Sequence, residues 1–400
     1  MASFLLGWEY GGGLGHAARL LPLAQGLLAQ GHRVTLMLRD LALTDGLLRD
    51  SGLERLQTPL WLHKTQGVPD PQASIAEILL ATGYLRANDL AGQVQGWRSA
   101  LRLTRADVFV SDYAPTGVLA ARAEGLPSAV VGIGFYMPPE VAPMPPFRNW
   151  EPLPTGRIEH AERAAKASAD AVLARAGKPP LTQLSELFHG EASLMCSWPE
   201  LDHYGRGRLP PGRRFFGVNV LPSSGTAPQW PGVDGPKVFA YLKAGHPDHA
   251  DVLRALVARG CNVLCYLPEI GAGMPPPVVS PRIAYSGLPV DLDPACEQAD
   301  LVVCHAGAAT LVQALLAGKP LLLLPMQAEQ FLISQRVRET GAGINAAAQR
   351  RPVPFAALLA ELLDKPEARL AAQAFAARYA GTSHEAQTEA LVAEIAALAR

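Results

Sequence analysis

The sequence predicts an α/β protein of two doubly wound domains, each a parallel sheet layered with helices. Two patterns carry this reading. Apolar runs of strand length alternate with amphipathic helical stretches twice along the chain, and a proline- and glycine-rich break without regular period separates the two series. Length agrees, because 400 residues exceed what one hydrophobic core usually organises.

The first series begins with "SFLLGW", a strand-like run, followed by a glycine loop from Gly11 to Gly15 and the helical "HAARLLPLAQGLLAQ". Leu20, Leu23, Ala24, Leu27 and Leu28 recur at spacings of three and four, so one helix face is apolar. Pro22 removes a helix N–H, and a kink is expected there. Gly31 sits where a left-handed cap stops a helix, and "RVTLMLRD" then reads as a second strand. Strand, glycine turn, helix and strand in this order make a βαβ unit and hence a parallel sheet. Further strands are expected at "ADVFVSD" (106–112) and "PSAVVGIG" (127–134), with the helical "TGVLAARAEG" between them. Residues 61–100 are less regular, and 135–155 are rich in proline and aromatic residues, as binding loops often are.

Domain boundaries follow: 1–218, a linker at 219–236, and 237–400. After the linker come strand "KVFAYL", helix "DHADVLRALVARG", strands "NVLCYL" and "RIAYS", helix "LDPACEQA", strand "DLVVCH", helix "GAATLVQALLAG" and strand "PLLLLPM". The chain from 354 onward reads as Ala/Leu-rich helices, the last of which has the option of packing back on the first domain. Ligands of open parallel sheets bind at the carboxyl ends of strands, so a cleft between two facing sheets is the expected site.

Composition excludes several partners. Hydrophobic residues make up 49% of the chain, charged residues 18%, and net charge is −1 with both signs interspersed, which gives no electrostatic footprint for nucleic acid or an anionic membrane. The five cysteines are an odd, scattered set. Cys261 and Cys265 share a strand face, yet no second ligand pair follows at zinc spacing, so buried thiols in a reducing cytoplasm are expected. The first residues lack a basic n-region, and the longest aliphatic run, 321–324, falls far short of a bilayer span. A cytoplasmic protein is expected, with peripheral membrane contact left open.

"CHAGAATLVQAL" (304–315) holds the candidate ligand site. His305 ends a strand, Gly307 permits close backbone approach, and Ala306, Ala308 and Ala309 keep the helix start nearly bare up to Thr310. Free N–H groups at a helix N-terminus bind phosphate, with His305 and Thr310 able to add hydrogen bonds. Small residues also start helices that merely pack closely. Further on, "MQAEQ" puts Glu329 beside Gln330, a pair suited to sugar hydroxyls or simply to a helix's first turn. Asp291 and Asp293 stand ahead of a helix, where capping accounts for them; His246 and His249 read as solvated imidazoles beside a cap at Asp248, and Asp40 as another cap.

These residues resemble the nucleotide-sugar signature of the UDP-glycosyltransferase superfamily, which has the two-domain GT-B fold. That pattern, His-x-Gly-x-x-Ser/Thr-x-x-Glu-Ala, then Gly-x-Pro, a strand and Pro-x-x-x-Asp-Gln, is met by His305, Gly307, Thr310, Gln313-Ala314, Gly318-Lys319-Pro320 and Pro325 through Glu329-Gln330. The resemblance implies that His305, Thr310 and the backbone of 306–309 hold a diphosphate. It implies Gln313 at the ribose, Glu329 and Gln330 at the sugar, and Leu288 and Val290 near the base. "GGGLGHAARLLPLAQGLLAQGHRV" is similar to the family's Gly-His loop, so Gly13 and Gly15 would line the donor and His16 would be the general base. "VSDYAPTGVLAARAEGLP" is similar to the segment that supplies its partner, Asp112. Gln313 stands where Glu is usual and Glu329 where Asp is usual; the neutral Gln313 also looks like bacterial rhamnosyltransferases and suits a dTDP-sugar. Arg19 stands where many members have proline.

The implied activity is inverting transfer of a hexosyl or deoxyhexosyl group from a dTDP- or UDP-sugar to an acceptor hydroxyl, with no cofactor or metal. Trp61, Tyr84, Phe135 and Tyr136 point to an apolar acceptor, although the same residues suit a core. A GT-B sugar-nucleotide epimerase and a non-catalytic glycosyltransferase-like partner are the alternatives. A dinucleotide fingerprint is not met, since Gly11-Gly12-Gly13-Leu14-Gly15 lacks the G-x-G-x-x-G spacing.

Overall fold

All strands of both sheets are parallel to their neighbours in a computed structural model that describes residues 1–218 and 225–399. The chain forms two units, Met1–Leu221 with Ser383–Arg400, and Pro222–Thr382. Of the expected linker, 219–224 lie outside the described residues, and Thr226 is tied to the second unit through its N–H to the Pro289 carbonyl at 2.9 Å.

The first unit holds β1 (Ser3–Trp8), β2 (Arg33–Leu38), β3 (Glu54–Gln57), β4 (Val108–Asp112), β5 (Ser128–Gly132) and β6 (Ala192–Met195), in the order β3-β2-β1-β4-β5-β6. Its helices are α1 (Gly15–Ala29), α2 (Leu41–Leu48), α3 (Ile75–Leu79), α4 (Ala87–Leu103), α5 (Pro115–Glu124) and α6 (Arg157–Arg175). The second unit repeats the plan. Its strands β7 (Lys237–Tyr241), β8 (Asn262–Tyr266), β9 (Ile283–Ser286), β10 (Leu301–Cys304), β11 (Leu321–Leu323) and β12 (Gly343–Asn345) run β12-β11-β10-β7-β8-β9. Its helices are α7 (His249–Ala258), α8 (Pro268–Gly271), α9 (Leu292–Gln298), α10 (Ala308–Leu316), α11 (Ala328–Thr340), α12 (Phe355–Asp364) and α13 (Glu367–Tyr379). In each sheet the strand order reverses at one place, between β1 and β4 and between β7 and β10, and a ligand crevice of a doubly wound sheet opens there.

Local sequence explains most elements. β1 carries no polar side chain after Ser3 and is buried along its whole length, as a central parallel strand must be. Pro22 lies inside α1, and Gly31 follows the helix at φ +81°. Asp40 caps α2 by accepting from the Leu43 N–H at 2.8 Å, and Asp291 caps α9. β3 (Glu-Arg-Leu-Gln), β6, β12 and α6 were not read from the sequence. The three strands are short edge or near-edge strands with little apolar signal, and α6 spreads its small buried residues among many charges.

The last helix, α14 (His384–Ala397), belongs to the first unit. Leu391, Val392 and Ile395 join Leu20, Leu23 and Leu27 in one buried cluster, and a Cβ on Gly26 would meet the Val392 side chain at 2.7 Å. All five cysteines are free and buried. No helix among the described residues is long and apolar enough to cross a membrane.

Candidate active site

In the first unit, β1 and β4 pair with Trp8 opposite Asp112, so the residues after Trp8 start beside that carboxylate. The chain turns through Glu9–Leu14 into α1, whose second residue is His16. His16 Nδ1 lies 2.9 Å from Asp112 Oδ1. An ionised carboxylate only accepts, so Nδ1 carries the proton and Nε2 is left as the basic nitrogen. Trp8 stacks on the imidazole with centroids 5.1 Å apart, which fixes the ring plane. Gly11 keeps Nε2 open: its φ is +79°, and a Cβ there would lie 2.6 Å from Nε2.

Asp112 is fully buried and takes three donors. Besides His16, Arg19 Nη1 donates to Oδ2 at 2.7 Å and the Tyr136 hydroxyl donates to Oδ1 at 2.8 Å. Arg19 Nη1 also donates to the Tyr136 oxygen at 2.5 Å, closing a ring of hydrogen bonds. Burial alone would raise the Asp112 carboxyl, but Arg19, His16 and Tyr136 outweigh it and hold it below the usual range. The aspartate is therefore a fixed anion that orients His16. Arg19 and Tyr136 were not seen as its partners in the sequence; Arg19 stood out only as a residue where proline is usual.

The expected acceptor residues divide. Trp61 is partly exposed, with Nε1 on the Thr65 hydroxyl at 3.0 Å. Tyr136 instead serves Asp112. Tyr84 is fully buried with its hydroxyl 3.1 Å from Thr116 Oγ1, and Phe135 packs on Phe147. Tyr84 is thus core, the alternative that its sequence left open. The sequence also gave no sign of Glu9, which is 1% exposed and accepts from the Thr116 N–H at 3.0 Å at the start of α5. Burial pushes its carboxyl up to about 7.

The second unit builds its site the same way. His305 follows β10 and is buried. Its Nδ1 lies 2.7 Å from the Leu324 carbonyl, and its Nε2 accepts from the Lys243 N–H at 2.8 Å. Donor and acceptor fix the tautomer: Nδ1 is protonated, Nε2 is not. Burial, with the Lys243 charge acting the same way, holds His305 below its ordinary value. Both nitrogens are engaged within the unit, so the expected bond from this ring to a phosphate has no free nitrogen here; the ring braces the loop instead.

Ala306 bends the chain at φ +60°, and Gly307 caps α10 at φ −64° with no side-chain cap. The first N–H groups of α10 thus lack the side-chain acceptor that commonly satisfies them. A Cβ on Gly307 would meet no atom within 4 Å, and its φ suits any residue. Nothing in the described protein requires glycine there, whereas a ligand against the backbone would. Thr310 lies buried one turn in.

Gln313 Nε2 donates to Asp293 Oδ1, which leaves the amide oxygen as the side chain's acceptor. A carboxylate therefore stands beside the neutral amide, supplied from α9 and read in the sequence only as part of a cap. Leu288 is 62% exposed while Val290 is buried. Gln330 Oε1 accepts from the Met326 N–H at 2.9 Å, and Glu329 lies in the first turn of α11. His246 is buried, not solvated as expected: its Nδ1 accepts from the Asp248 N–H at 3.1 Å, and burial holds it down to about 4. Asp248 makes no side-chain cap on α7. Among the described residues no group of three or more His, Cys, Asp or Glu side chains is arranged to hold a metal ion.

Residues 282–389 match the family model of the glycosyltransferase family 28 C-terminal domain. Over 84 residues, 21% of the chain, the sequence is 36% identical to UDP-sugar-dependent glycosyltransferase 52 of Dictyostelium discoideum, and the match spans 4% of that protein's length. Among solved structures, the glycosyltransferase VinC in complex with dTDP superposes with a TM-score of 0.68 at 17% identity, covering 99% of both chains. The spinosyn rhamnosyltransferase SpnG complexed with thymidine diphosphate gives 0.65 at 21%, covering 98% of this chain and 100% of that one. The fold is GT-B, and the resemblance to the UDP-glycosyltransferase superfamily is borne out.

Proposed function

We propose that the chain is an inverting glycosyltransferase that moves a hexosyl or deoxyhexosyl group from a dTDP- or UDP-sugar to a hydroxyl of an apolar small molecule. One observation carries most of this reading: the His16–Asp112 pair and the bare N-terminus of α10 occupy the strand-order reversals of two like sheets. A base stands at one, an anion-binding helix end at the other.

In the proposed reaction the acceptor hydroxyl gives its proton to His16 Nε2 while its oxygen attacks the anomeric carbon. The bond from that carbon to the diphosphate oxygen breaks, and its electron pair leaves with the nucleoside diphosphate. Attack opposite the leaving group inverts the configuration. Asp112, an anion held by Arg19 and Tyr136, orients His16 and stabilises the imidazolium. The N–H groups at the start of α10 meet the diphosphate. Gln313 Oε1, with Asp293 beside it, offers acceptors to the hydroxyls of a ribose or deoxyribose. No cofactor or metal takes part.

VinC and SpnG were solved with thymidine diphosphate and SpnG also with spinosyn aglycone, which supports a dTDP-sugar and a small-molecule acceptor. Five free, buried thiols fit a cytoplasmic setting. The test follows nucleoside diphosphate release from dTDP- and UDP-sugars across a panel of apolar alcohols, with the anomeric configuration of the product read by NMR. Inverted product is expected. His16→Ala is expected to lower kcat by about 10²–10⁴ with donor affinity unchanged. Retained configuration, or an undiminished His16→Ala rate, overturns the reading.

A further inference from the structure

We infer that Lys243 is the cation that meets the leaving diphosphate, an assignment that rests on the glycosyltransferase reading above. The chain leaving β7 is the second unit's counterpart of the chain leaving β1, which carries the base. Together with the chain leaving β10 it borders the reversal of strand order. The Lys243 N–H to His305 Nε2 bond, 2.8 Å long, ties these two segments together, and His305 stands two residues before Gly307, the N-cap of α10. Glu269 Oε1 holds the same turn through the Ala244 N–H at 3.2 Å.

Charge accounting then asks for a cation. Cleavage of the sugar–diphosphate bond puts an electron pair, and one more negative charge, on the departing oxygen. A helix N-terminus supplies roughly half a positive charge. His305 supplies none, because Nδ1–H is spent on Leu324 and Nε2 on Lys243. Across the segments leaving β7, β10 and β11, residues 242–248, 305–307 and 324–327, Lys243 is the one lysine or arginine. Its side chain is exposed, and its ammonium offers three donors on a flexible stem. The bond to His305 uses only the backbone, so a change of side chain at 243 leaves the brace in place.

Calorimetric titration of the full chain with dTDP, dTMP, UDP and UMP separates this role from a solvated surface lysine. Lys243→Gln is expected to weaken diphosphate binding about 10- to 100-fold, to leave monophosphate affinity and Tm unchanged, and to flatten the salt dependence of dTDP binding. Lys243→Arg is expected to keep most of the affinity. Wild-type binding of a diphosphate that Lys243→Gln equals, or an equal loss of mono- and diphosphate, overturns the Lys243 assignment alone. Wild-type protein that binds no nucleoside diphosphate overturns the glycosyltransferase reading and this assignment with it.

Discussion

Glu9 and Arg19 are buried ionisable groups a few residues from His16, and each has a measurable consequence. The Glu9 carboxyl rises from 4.5 to about 7 on folding because it is buried. Between those values the folded protein holds a proton that the unfolded chain has lost, so stability falls as pH rises and the loss is complete above about pH 7. At about 1.4 kcal/mol per pH unit, the loss is on the order of 3 kcal/mol. Glu9→Gln is expected to flatten the decline in unfolding free energy between pH 5 and 8, read by urea melts; a decline parallel to wild type contradicts the assignment. Arg19→Met leaves Asp112 buried without its permanent cation and is expected to cost about 3–5 kcal/mol. A cost below about 1 kcal/mol in the same melts shows that His16 and Tyr136 suffice. His16 and Asp112 were legible because their motifs name them. Arg19 and Tyr136 were not, because their roles rest on hydrogen bonds between residues 24 to 117 apart. Glu9 follows a strand with nothing in the local pattern to mark it as buried.

At the scale of elements, α14 is the clearest case of tertiary structure overriding chain order. It is last in sequence, yet Ile395 is fully buried in the first unit's core. Ile395→Ala is expected to destabilise that unit by about 2–5 kcal/mol through lost burial and a residual cavity. Hydrogen exchange should show faster opening along β1 and α1 and an unchanged β7–β10 core; uniform acceleration of both would contradict the division. Long apolar strands and helices with a clear stripe were read correctly, β1, β4, β8 and α10 among them. β3 and β6 were missed because four-residue strands at or near a sheet edge leave little alternation to detect.

For the whole molecule, the two sheets share one strand order and each sets its candidate residues beside its own reversal point. That duplication was visible in the sequence as two α/β series, whereas the strand order came only with the fold. The central claim is that the start of α10 receives a nucleoside diphosphate. Gly307 tests it most directly, since a side chain there meets open space and an ordinary φ, and so harms ligand approach but not the fold. Titrating dTDP and UDP into wild type and Gly307→Val is the measurement. The expected result is binding by wild type and at least a tenfold loss in the variant, with Tm unchanged to within a few degrees. Equal affinity in the two proteins, or no binding by either, contradicts the claim.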